Sequence, residues 1–201
     1  MTRPAEGSQQ RGVDQRRLIF LTGFMGSGKS TIGPILANTL GYDFVDVDRL
    51  IERKANARVV EIFEREGEQR FRELEQEVLR ELSGRKECVV SLGGGTIANE
   101  QNFEFIRLNG VIVYLQLTLD EIFQRVHHRP DRPLLWDGSG KLLTAEQLQE
   151  RIRMLLTDRE RFYNRADVIV PSDRRRVGAT VDEIVRQLRG YVQDSSRKSI
   201  R

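Results

Sequence analysis

Between an apolar run, Leu18 to Leu21, and a stretch of helical period stands Gly23-Phe-Met-Gly26-Ser-Gly28-Lys29-Ser30-Thr31, which satisfies the pattern G-x-x-x-x-G-K-[ST]. No other segment restricts the fold so strongly. Glycines at these positions let successive backbone N–H groups turn inward around a polyphosphate, which then rests on the positive end of the following helix. That arrangement demands strand, loop and helix in immediate succession, and the flanking residues supply it. Gly26, Ser27, Gly28, Lys29, Ser30 and Thr31 are therefore the candidate nucleotide-binding residues. Lys29 offers a mobile cation to the β and γ oxygens, and Ser30 offers a hydroxyl to Mg²⁺. Taken alone, the motif predicts nucleoside triphosphate binding, which switches, ATPases, motors and small-molecule kinases share.

The remainder of the chain continues the alternation. Phe44 to Val47 is followed by a helical region to Leu82, Cys88 to Leu92 by 99–108, Val111 to Leu117 by 119–128, and Val168 to Val170 by 179–189. Runs such as VIVYL and VVSL are apolar on consecutive residues, as strands covered on both faces are, so five parallel strands flanked by helices are expected. Two helical stripes, Phe71/Leu74/Val78/Leu79/Leu82 and Val181/Ile184/Val185/Leu188, read as core. Cys88 lies inside an apolar run and reads as a buried strand residue of a cytoplasmic protein. No run approaches the roughly 20 apolar residues of a membrane span, and no membrane partner is expected. The net charge of +3 raises the question of nucleic acid. Residues 1–17 and 191–201 each carry +2, however, which leaves the 173 residues between them at −1. The first segment reads as an unstructured extension and the second as a flexible basic tail, around one domain over 18–190.

Candidate acceptor-side residues follow in chain order. The second strand reads Phe44-Val45-Asp46-Val47-Asp48, which puts two carboxylates on one side of an extended chain at the strand end where ligands bind in open α/β sheets. One can face Mg²⁺ and the other a substrate hydroxyl, or one caps the helix that begins near Leu50. The third strand ends in Ser91-Leu92-Gly93-Gly94-Gly95-Thr96, with no acid, so Asp46 is the natural metal candidate beside Ser30. Three consecutive glycines remove side chains where something must approach the backbone. In the helix 145–163, Leu148, Ile152, Leu155, Phe162 and Tyr163 form one face, and Arg159 falls in its middle. A guanidinium there meets a core carboxylate or lines a cavity for an anion, and Arg72, beside the Phe71 stripe, is its candidate partner. From Arg129 to Leu143 the sequence RPDRPLLWDGSGKLL breaks the alternation and reads as a lid or binding loop, with the single Trp136 inside it.

Together GFMGSGKS, FVDVD, EQRFRELE, SLGGG and RPLL resemble, in order over about residues 18–190, the shikimate kinases, a branch of the nucleoside monophosphate kinase-like P-loop enzymes. The resemblance implies a five-stranded parallel sheet of order 2-3-1-4-5, a small substrate-binding helical region near 49–75 and a lid near 129–143. It implies phosphoryl transfer from ATP to the 3-hydroxyl of shikimate, toward chorismate and the aromatic amino acids. Carried over residue by residue, Lys29 and Ser30 serve phosphate and Mg²⁺, Asp46 assists the metal, and Asp48 binds the acceptor hydroxyl and takes its proton. Arg72 and Arg159 hold the carboxylate, and Gly93, Gly94 and Gly95 line the ring. Arg132 reaches the transferred phosphoryl group, while Arg125 and Arg174 flank adenine. A cytoplasmic monomer is expected, acting on ATP and shikimate and not on nucleic acid. The competing readings are a sugar-acid kinase of the gluconate type and a nucleotide-dependent nucleic-acid-binding protein that uses the Arg-rich tails.

Overall fold

The computed structural model describes residues 18–127, 142–172 and 176–192. Arg132, Trp136, Arg174 and most of the 129–143 excursion lie outside the described residues, as do both terminal segments. Five strands, β1 (Leu18–Thr22), β2 (Asp43–Asp46), β3 (Cys88–Ser91), β4 (Gly110–Gln116) and β5 (Val168–Pro171), form one parallel sheet in the order β2-β3-β1-β4-β5. This is the expected topology. Between and after them come α1 (Lys29–Leu40), α2 (Val47–Ala55), α3 (Val59–Leu82), α4 (Glu100–Asn109), α5 (Leu119–Val126), α6 (Ala145–Tyr163) and α7 (Val177–Val192).

The apolar runs explain the layering. Alternate residues of a strand face opposite sides. Leu18, Phe20, Cys88, Val90, Ile112 and Tyr114 pack against α2, α3, α4 and α6. Ile19, Leu21, Val89, Val111, Val113 and Leu115 pack against α1 and α7 on the other face. The central strands are buried along almost their whole length, whereas the edge strands β2 and β5 are not. Cys88 is fully buried in β3, as its neighbours foretold. A third apolar cluster, Phe24, Leu117, Ile122, Val126, Leu148 and Ile152, lies under the glycine-rich loop where α5 meets α6.

Two backbone details position the site. Gly67 interrupts α3 with φ 80° and ψ 176°, a conformation essentially confined to glycine, and sets its first turns at an angle to the long remainder. The second corrects the sequence reading: β2 ends at Asp46, and α2 starts at Val47 rather than near Leu50. Asp46 is the N-cap and accepts the Arg49 N–H at 3.2 Å. An aspartate in extended conformation is a strong helix start, and it ended the strand two residues earlier than apolar patterning suggested. Asp46 and Asp48 are therefore not neighbours along an extended chain. Asp48 stands in the first turn of α2, where the helix dipole favours a carboxylate.

At the opposite end of the sheet, β4 begins on a residue that tolerates no side chain. A Cβ at Gly110 would lie 2.4 Å from the Leu18 carbonyl oxygen and 2.7 Å from the buried Phe20 ring. Because backbone must move to make room, Gly110→Ala is expected to destabilise the fold by about 1–3 kcal/mol. A lower urea midpoint at unchanged slope checks this, and an unshifted midpoint would show that the β1–β4 pairing yields.

Candidate active site

The glycine-rich loop links β1 to α1. Gly28, with φ 93°, is the N-cap of α1 in a left-handed conformation that suits glycine, and it has no side-chain cap. The first N–H groups of α1 thus face the loop's interior, ready for an anion. Ser172 Oγ donates to the Ser27 carbonyl at 2.7 Å, which fastens the loop to the end of β5. Arg125, from α5, donates to the carbonyls of Gly26 at 2.9 Å and Ser172 at 2.6 Å, at the edge of the loop. Lys29 curls over its own loop: its Nζ donates to the carbonyls of Gly23 at 2.7 Å and Phe24 at 3.2 Å, and to the Ser27 hydroxyl at 3.4 Å. These are bonds that a polyphosphate can replace.

A cavity of about 1010 Å³ opens beside this loop. Its walls include Gly26, Gly28, Lys29, Ser30, Thr31, Asp46, Asp48, Arg72, Gly93, Gly94, Gly95, Arg125 and Arg159, so the described sequence candidates other than the buried Ser27 meet in one space. Its centre is the glycine turn after β3, where each glycine meets a different side chain. A Cβ at Gly93 would lie 2.7 Å from Asp48 Oδ1, one at Gly94 would lie 3.6 Å from Arg159 Nη1, and one at Gly95 would lie 3.1 Å from Arg72 Nη2. The proximity of Arg72 and Arg159, which the sequence left open, is thereby resolved. Val60 and Phe63 add an apolar wall, with Phe63 against Phe71 at a centroid distance of 4.7 Å.

Arg72 is fixed by acids. Its Nη1 donates to Glu75 at 3.1 Å, and its Nη2 donates to Glu68 at 3.0 Å. Glu75 is 1% exposed, and a buried carboxylate is tolerable only when its oxygens are bonded. Thr96 Oγ1 donates to it at 2.6 Å and Asn102 Nδ2 at 3.2 Å, so α3, the turn after β3 and α4 all converge on one side chain. The sequence reading missed Glu75, Thr96 and Asn102. An acid in the stripe Phe71/Leu74/Val78/Leu79/Leu82 was the available signal for Glu75. Arg159 has another environment: among the described residues no carboxylate pairs with it, and its guanidinium carbon lies 5.1 Å from the centroid of the Phe24 ring.

Asp48 is the perturbed acid of the cavity. Burial, reinforced by the nearby Asp46 carboxylate and opposed by Lys29, pushes its pKa from 3.8 up to about 6. At neutral pH it is therefore mostly ionised and yet a stronger base than an ordinary aspartate.

A family model for shikimate kinase matches residues 25–189 of the chain. The chain is 46% identical over 182 residues to the shikimate kinase of Chlorobaculum parvum, an alignment covering 90% of this chain and 97% of that one. Its fold is similar to that of the shikimate kinase from Acinetobacter baumannii in complex with shikimate, with a TM-score of 0.77 and 35% identity over 87% of this chain and 94% of that one. A gluconokinase from Sinorhizobium meliloti is similar at a TM-score of 0.56 and 19% identity, over 89% of this chain and 95% of that one, a likeness of fold alone.

The electrostatics of the cavity give two expected outcomes. In the ligand-free, metal-free protein, an NMR titration should show the Asp48 carboxyl losing its charge as pH falls through about 6, and Asp46→Asn should lower that midpoint. An ordinary aspartate midpoint in both proteins would refute the assignment. Gly93→Ala should displace the Asp48 carboxylate and press on the buried Thr96 hydroxyl, 2.9 Å from the new Cβ, and so reduce both kcat and thermal stability; full activity in that variant would show that the contact is dispensable.

Proposed function

The chain belongs to the shikimate kinase family, and from this we propose which of its residues carry out the family's reaction. It phosphorylates shikimate on the 3-hydroxyl with ATP, yielding shikimate 3-phosphate and ADP, in the route to chorismate and the aromatic amino acids. The gluconate-type alternative has only a likeness of fold behind it. One observation carries the assignment of residues: Asp48, Arg159 and Arg72 face three successive glycines at the end of β3, beside the phosphate loop. A small carboxylated alcohol laid over that turn meets two guanidinium groups with its acid and a basic carboxylate with a hydroxyl.

Phosphoryl transfer asks little covalent chemistry of a protein, so the mechanism is one of position and charge. Lys29 exchanges its bonds to the Gly23 and Phe24 carbonyls for phosphate oxygens, and the N–H groups from Gly26 to Thr31 cradle the chain of phosphates. Arg72 and Arg159 bind the shikimate carboxylate, whose planar pair of oxygens matches the guanidinium fork. Asp48 accepts the hydrogen bond of the 3-hydroxyl and receives its proton as the oxygen bonds to the γ-phosphorus and ADP departs. By the resemblance, Arg132 neutralises charge on the moving phosphoryl group, while Arg125 and Arg174 flank adenine. The bonds of Arg125 to the Gly26 and Ser172 carbonyls put it at the loop's edge, in keeping with that role.

Mg²⁺ fits the donors present. Ser30 and Asp46 line the same cavity, both are hard oxygen ligands, and Asp46 commits only Oδ1 to capping α2. When bound with ATP, the ion neutralises charge on the β- and γ-phosphate oxygens. The reading extends to a monomer of the cytoplasm. The one cysteine, Cys88, is a buried free thiol, as suits a reducing compartment.

A coupled assay of ADP release should show turnover with shikimate and none with gluconate. Arg159→Ala should raise the shikimate KM by about 30-fold or more and leave the ATP KM within about twofold, as loss of a partner to a bound carboxylate does. Asp48→Asn should lower kcat by about 10² to 10⁴ through loss of the base. A higher ATP KM in the arginine variant, or an unchanged kcat in the asparagine variant, would sink these assignments.

A further inference from the structure

Both arginines of the cavity lie beside an aromatic ring, Arg72 5.4 Å from the Phe71 centroid and Arg159 5.1 Å from that of Phe24, but among the described residues only Arg72 is also bonded by carboxylates. Two carboxylates, Glu75 and Glu68, bond Arg72 and offset its charge. Arg159 lies against the ring of Phe24, which is 1% exposed. On another side it meets Gly94 and the phenol of Tyr163, whose hydroxyl makes a long contact of 3.5 Å to the Gly94 carbonyl. Tyr163 is itself immobilised, 1% exposed and stacked on Tyr114 with ring centroids 4.3 Å apart and planes 9° from parallel. The Arg159 cation opposes the upward push of burial on the Tyr163 hydroxyl, which attests their proximity.

We propose that Phe24 and Tyr163 are positioning residues for Arg159, an aromatic seat that fixes the guanidinium without neutralising it. The proposal rests on the reading of Arg159 as a ligand of the acceptor's carboxylate. A carboxylate partner would hold the side chain but cancel its charge and occupy its donors. An aromatic face attracts the cation through the ring quadrupole without cancelling its charge, and among the described residues only the Tyr163 hydroxyl takes up an N–H of the fork. With the guanidinium seated by Phe24 and Tyr163 before substrate arrives, the freedom the side chain loses on binding is correspondingly small. The pair thus divides the work. Arg72 supplies fixed geometry with its charge largely balanced by acids, and Arg159, which no carboxylate of the described residues pairs, supplies the positive charge that draws an anionic acceptor.

Steady-state kinetics on the full chain test this. Phe24→Leu keeps apolar bulk but removes the ring, and it should raise the shikimate KM between about five- and thirty-fold, the range of a desolvated cation–π contact, with kcat and the ATP KM within about twofold. Replacing Phe24 by trifluorophenylalanine, which weakens the quadrupole at nearly constant shape, should give a smaller loss of the same kind. Tyr163→Phe, which deletes only the hydroxyl, should raise the shikimate KM by about two- to tenfold. In an Arg159→Ala background each change should add less than about twofold, because the group they position is gone. An unchanged shikimate KM in the trifluorophenylalanine and Tyr163→Phe proteins would overturn the proposal even if Phe24→Leu fails to fold. So would losses that persist in full in the Arg159→Ala background. A shikimate KM unaffected by Arg159→Ala alone is a different result, since it removes the reading of Arg159 itself and the seat with it.

Discussion

The arrangement of this site depends on the absence of side chains at the first and third residues of one glycine turn. Gly93, Gly94 and Gly95 leave room for Asp48, Arg159 and Arg72 to close on a single backbone turn, and a methyl group at the first or third would stand within 3.1 Å of the side chain it faces. Sheet order does the rest. Leu92 N–H donates to the Leu21 carbonyl at 3.0 Å, tying the glycine turn to the strand that launches the phosphate loop. On its other side β3 pairs with β2, which ends at Asp46 and passes Asp48 into the cavity. With strands about 4.8 Å apart, the order β2-β3-β1 sets Asp48, the glycine turn and the Gly23–Thr31 loop side by side. The arginines arrive from above: α3, running between β2 and β3, brings Arg72, and α6, before β5, brings Arg159.

Charge is distributed with equal specificity. A buried acid is expensive to keep unless its oxygens are bonded, and Glu75 meets that condition with Thr96, Asn102 and Arg72 from separate elements. The same carboxylate therefore fixes the relation of α3 to α4 and to the glycine turn while it aims a guanidinium at the cavity. Packing and the aim of Arg72 share one network here, so a change at Thr96 or Asn102 reaches the cavity through Glu75.

What the sequence disclosed divides along the same physical lines. Features set by local period or local chain conformation were readable: the strand-loop-helix around Gly23–Thr31, the consecutive apolar strands, and α6, whose bounds at Ala145 and Tyr163 match the apolar face with Arg159 at its middle. Features set by competition between local signals were not, as when the capping power of Asp46 overrode the apparent extension of the strand to Asp48. Contacts between distant segments had no periodic trace. Thr96 and Asn102 stand 21 and 27 residues from the acid they satisfy, and nothing in GFMGSGKS announces that its Phe24 carries a helix arginine on its ring.

The raised pKa of Asp48 ties stability to function. Its folded-state value of about 6 lies above the unfolded 3.8, so the native state binds the proton more tightly than the unfolded chain. That contribution to stability is full below about pH 3.8 and is lost as pH rises through about 6. At neutral pH the fold therefore carries a carboxylate it would hold more easily protonated. Burial among glycines and beside Asp46 is what makes Asp48 costly, and the same burial gives it the basicity to take a proton from an alcohol. In the ligand-free protein Lys29 opposes that rise in pKa.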